Sequence, residues 1–84
     1  MTREEQLEVR IATQLASLRL HLAAGRGESA AGVLVKARRT LGAMAPGEAR
    51  DSAMRDYAEL DAEHSRRFVA PTVAGIDARG SMWQ

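Results

Sequence analysis

Asp61 and His64 stand three residues apart, a spacing that puts a carboxylate and an imidazole on one face of a helix. Di-iron helical bundles present their ligands in the same i, i+3 arrangement. The other histidine is His21. In a chain folded up, down and up, the first and third helices run parallel, and His21 can come level with His64. Two imidazoles and one carboxylate would make an iron or zinc donor set. Against this, aspartate reaches less far than glutamate, and no acid sits midway along the first helical stretch. The expectation is therefore an amphipathic histidine at a bundle edge, with no metal or other cofactor.

Nucleophilic chemistry finds less support. Glu63, His64 and Ser65 are catalytic residue types, but consecutive helical residues point about 100° apart and cannot align as a relay. Ser29 and Ser52 have no histidine near them in sequence. Gly25, Gly27 and Gly32 match neither phosphate-loop spacing, and they follow a helical pattern rather than a strand. The chain reads as non-enzymatic.

Arg38-Arg39 and Arg66-Arg67 are the basic clusters. Paired arginines suit phosphates. A helix-turn-helix reading would make the stretch after Met44–Gly47 the recognition helix. That stretch carries Glu48, Asp51, Asp56, Glu59, Asp61 and Glu63 against Arg50, Arg55, Arg66 and Arg67, so DNA would repel it. The four arginines fit better as cations near helix C-termini, favoured by the helix dipole. A weak nucleic-acid-binding or regulatory module is the alternative reading. The formal net charge of +1 calls for neither nucleic acid nor an anionic membrane.

Three helices must position these residues. Thr2 and Glu5 form a capping box ahead of Leu7, Ile11, Leu15, Leu18 and Leu22, which recur at spacings of three and four. Val9, Ala12, Ala16 and Leu20 widen that stripe beyond what one partner helix needs. Gly25 suits the left-handed residue after a helix end. The second helix carries Ala30, Leu34, Ala37, Leu41 and Met44 as its seam, with Gly32 permitting close helix approach. Ala45-Pro46-Gly47 breaks the pattern, with Pro46 placed for the first turn of the next helix. The third stripe is Ala53, Tyr57, Leu60, His64 and Phe68, the least apolar of the three. The fold class expected is all-α: an antiparallel hairpin plus a third helix, a small three-helix bundle that an oligomer could swap. Residues 1–68 form one helical domain, with helices at about 3–24, 28–44 and 48–68. Residues 69–84 form an extended, non-helical C-terminal arm.

The chain has 84 residues and no cysteine, so neither a disulfide nor a thiolate site supports it. Alanine supplies much of the 45% apolar fraction and buries little area. A thin core favours self-association. No apolar run approaches the roughly 20 residues of a membrane helix, and the charged Thr2–Glu5 start is unlike a secretory signal. The setting expected is cytoplasmic, or inside a virion or similar particle.

The arm holds Val73, Ile76, Met82 and the one tryptophan, Trp83, after a helix-breaking Pro71. Burying those four side chains gains on the order of 6–12 kcal/mol. Ordering sixteen backbones costs roughly 16–30 kcal/mol. The arm is therefore expected to be disordered when isolated, or else held by its own bundle or by a partner surface that also satisfies its backbone. These features point to a small protein-protein interaction or assembly protein. Leu20 on the first helix, with Val73, Ile76, Met82 and Trp83, would contact its partners. Such arms on helical bodies are common in particle assemblies, phage shells among them, and small accessory proteins of mobile elements offer a second analogy.

Overall fold

Thr2 opens the first helix as its spacing to Glu5 requires. In the computed structural model, which describes residues 1–69, the Glu5 N–H donates to Thr2 Oγ1 at 3.1 Å and the Thr2 N–H to Glu5 Oε1 at 2.8 Å. Two orphan donors at the helix start are thereby satisfied. The helix, α1, spans Arg3–Ala23. It ends at Gly25, whose φ of 74° lies where glycine alone is unstrained. The Gly25 N–H donates to Leu22 O at 3.1 Å and the Arg26 N–H to His21 O at 2.8 Å. This crossed pair is a Schellman stop.

The second helix, α2, spans Gly27–Ala43, beginning one residue before the expected Glu28. Met44 leaves it in an extended conformation and is itself buried, so the link plugs the end of the core. The third helix, α3, spans Glu48–His64 with Gly47 as its N-cap. Pro46 therefore precedes the cap instead of occupying the first turn. The expected helix to Phe68 is α-helical only as far as His64; Ser65–Val69 widen into a π turn. The readings on Val73, Ile76, Met82 and Trp83 lie outside the described residues.

The three helices pack on one another in an up-down-up order, and no strand occurs among the described residues. The Ala45 N–H donates to Glu4 Oε1 at 3.1 Å, tying the end of α2 to the start of α1. At the opposite end, His64 reaches Gly27. The core consists of Leu7, Ile11, Leu15, Leu18 and Leu22 from α1, Ala30, Leu34, Ala37 and Leu41 from α2, and Met44 from the link. From α3 come Ala53 and Leu60, with Tyr57 and Phe68 partly buried beside them. The central stripes read from the sequence are thus the buried faces, whereas Val9, Ala12, Ala16 and Leu20, read as widening the first, are exposed. Gly32 is not a point of close approach: a Cβ built there meets nothing within 4 Å. No described helix is long and apolar enough to cross a membrane.

Candidate functional site

Three surfaces gather the residues with chemical potential. The first is the end of α3 where it meets the α1–α2 turn. His64 Nε2 lies 3.0 Å from Gly27 O. A carbonyl only accepts, so the proton of that bond sits on Nε2. Phe68 follows one turn on, with its ring centroid 5.3 Å from that of His64. It packs so closely over Gly27 that a Cβ there would stand 2.8 Å from Phe68 Cδ1. Gly27 therefore serves packing as well as the turn. Arg67 lies with its guanidinium carbon 5.2 Å from the Phe68 centroid. Its Nη1 donates to Leu22 O at 2.6 Å and pairs with Glu63 at 3.1 Å. A cation thus rests on the last carbonyls of α1, at the negative end of that helix.

The geometry does not assemble the alternative metal set of His21, Asp61 and His64. His64 commits Nε2 to a backbone carbonyl, and Asp61 is exposed. The Nδ1 of His21 is buried without a hydrogen-bond partner. Among the described residues, no group of three or more histidines and carboxylates could hold a metal ion. The i, i+3 spacing did place Asp61 and His64 on neighbouring surface. What the spacing could not show is that the turn captures the imidazole.

The four arginines do not form one patch either. Arg38 lines a groove between α2 and α3 with Leu41, Arg50, Met54 and Tyr57. Arg39, about 100° further round, lines a different cleft, between α1 and α2, with Arg3, Gln6, Arg10 and Thr40. Arg67 is held by Leu22 O and Glu63, and Arg66 is exposed. The helix-end role expected of these cations is met by other pairings. Arg67 serves α1, and Arg50 Nε donates to Leu41 O at 3.3 Å, near the end of α2.

Arg3 and Arg10 escaped the sequence reading because neither has a basic neighbour in the chain, and Arg50 entered it only in the charge balance of the third helix. Arg3 and Arg10 did carry a signal. Neither has an acid three or four residues away along the helix, and the same is true of Arg39. On α3, by contrast, Arg55 has both Asp51 and Glu59 at four residues. Arginines without such neighbours are the ones left to act on something else.

The third surface is the outer face of α1. Leu20 is 71% exposed and Val9 is 55% exposed. Thr13 and Ala16 lie between them on the same face, also exposed, so the ridge carries no charge. The breadth of the first stripe is real: Leu20 is spare, covered by neither α2 nor α3. Comparison with known proteins gives no match to any family model, curated protein or solved structure.

Proposed function

We propose that this chain is a small, non-enzymatic assembly protein that pairs with a second copy of itself along the outer face of α1. The observation that carries this reading is the uncharged ridge of Val9, Thr13, Ala16 and Leu20, with its largest side chain 71% exposed. The ridge is self-complementary. Val9 and Leu20 are equidistant from its midpoint, and so are Thr13 and Ala16. Two copies of α1 laid antiparallel about a two-fold axis would set Val9 against Leu20 and Thr13 against Ala16. The small residues at the crossing let the two backbones come close.

A magnitude limits how strong this pairing is. Burying the exposed parts of Leu20 and Val9 on both copies gains about 4–8 kcal/mol. Association costs at least about 4 kcal/mol in lost freedom and often much more. The ridge alone therefore supports weak pairing, and more apolar surface must join it for a stable assembly. Val73, Ile76, Met82 and Trp83 are the side chains this sequence offers for that purpose. The setting we propose is the cytoplasm or the interior of a particle, where a chain without cysteine loses nothing to reduction.

Sedimentation equilibrium of the full chain at rising concentration tests the reading. The mass is expected to climb from monomer toward dimer, with Leu20→Glu holding the chain monomeric at unchanged helicity. Deleting residues 69–84 is expected to weaken pairing further. A wild-type chain that stays monomeric to about 1 mM, or a Leu20→Glu chain that associates equally well, overturns it.

A further inference from the structure

The cleft between the first half of α1 and the second half of α2 includes none of the Val9, Thr13, Ala16 and Leu20 ridge, and its charge is lopsided. It is lined by Arg3, Arg10 and Arg39, with Gln6 and Thr40 between them and Leu7 and Ala43 as its apolar wall. Among the described residues, no carboxylate lines it. None of the three arginines makes an ion pair among the described residues, whose salt bridges are Arg19–Asp56 and Arg67–Glu63. The chain as a whole has a formal net charge of +1, so three arginines lining one cleft are a local choice and not an overall excess.

Helix dipoles do not account for the three. Arg3 is the first residue of α1, where the dipole opposes a cation, and Arg39 lies before the last turn of α2. Like charges gathered around one cleft repel, and an anion seated among them removes that cost. Guanidinium forks match phosphate oxygens in pairs, and the apolar wall strengthens the attraction by keeping water off one side. The cleft volume is about 190 Å³, suited to a compact group. The acidic α3 surface offers no continuous basic track on which a nucleic-acid strand could run.

We infer that this cleft is a binding site for a compact ligand bearing two linked phosphates. Arg10 on one wall and Arg39 on the other clasp the phosphates, Arg3 adds charge at the open end, and Gln6 donates from its amide. Because the site lies on a flank of α1 distinct from the Leu20 ridge, it stands or falls independently of self-pairing.

The test uses the full chain with inorganic pyrophosphate as probe, followed by amide chemical shifts and calorimetry. Pyrophosphate is expected to shift the amides of residues 3–10 and 39–43 and to saturate below about 1 mM. Arg10→Gln and Arg39→Gln are each expected to weaken binding at least about tenfold, because each removes a charged fork from the phosphates. Both side chains are exposed, so the variants should keep their helicity. Arg55→Gln, an exposed arginine on α3 flanked by acids, should stay within about twofold of wild type. No shift at 10 mM pyrophosphate overturns the site, as does equal weakening by Arg55→Gln. A thymidine oligonucleotide that binds more tightly than pyrophosphate, and shares the Arg10→Gln and Arg39→Gln losses, overturns the compact ligand in favour of a nucleic-acid strand.

Discussion

The α1–α2 hairpin and α3 are held in place by different chemistry. Of the twelve buried apolar side chains among the described residues, Ala53 and Leu60 alone come from α3. The hairpin closes on leucine and isoleucine, with Leu18 fully inaccessible. α3 attaches instead through polar side chains aimed at hairpin backbone. Arg50 reaches Leu41 O, His64 reaches Gly27 O and Arg67 reaches Leu22 O. Arg19 and Asp56 add an ion pair at 3.6 Å, but both are about half exposed, and such pairs contribute little. Leu22 O and Leu41 O already accept from the Gly25 and Met44 N–H groups, and a carbonyl oxygen has a second lone pair that a donor from a neighbouring helix can use. The surface charge divides in the same way. From Glu48 to His64, six acids face two arginines, whereas from Gly27 to Ala43, Glu28 stands against Lys36, Arg38 and Arg39. The hairpin is thus the better-packed and more basic part of the molecule, and α3 is its acidic, lightly anchored cover.

Substitutions can break this contrast. The largest effect expected is for Leu18→Ala, at about 4 kcal/mol, with Leu60→Ala on α3 at about 2 kcal/mol because Leu60 keeps 9% of its surface exposed where Leu18 keeps none. Urea unfolding of both variants ranks them, and a Leu60→Ala loss equal to that of Leu18→Ala would make α3 a full partner in the core. Next comes Arg67→Ala, expected to cost about 1–2 kcal/mol through the bonds to Leu22 O and Glu63. Hydrogen exchange should show α3 amides opening more than those of α1 or α2. Uniform acceleration across all three helices would mean that the clamp supports the whole fold. The smallest effect has the opposite sign. Gly32 lies inside α2 with open space around its Cβ direction, so Gly32→Ala should stabilise by about 0.5–1 kcal/mol in thermal melts. A loss there would reveal a contact on the outer side of α2.

Elements and buried faces were legible from the chain because they depend on local spacing. The Thr2–Glu5 box, the leucine stripe and the Gly25 stop each involve residues within a few positions of one another, and backbone geometry fixes what they do. The breadth that Leu20 adds to the first stripe was legible for the same reason, but that neither α2 nor α3 covers it was decided by the packing. The end of α3 was not legible: nothing local distinguishes an α-helix to Phe68 from one that widens at Ser65.

The sites divided along the same line. Sequence determined that Asp61 and His64 share a surface and that Arg39 lies about 100° from Arg38. Only the packed structure decided that Gly27 O captures His64, that Arg67 serves α1 instead of α3, and that Arg39 meets Arg3 and Arg10 across a cleft. Those outcomes join residues from different helices, and the relative register of two helices follows from how their side chains interlock, a property no single helix contains.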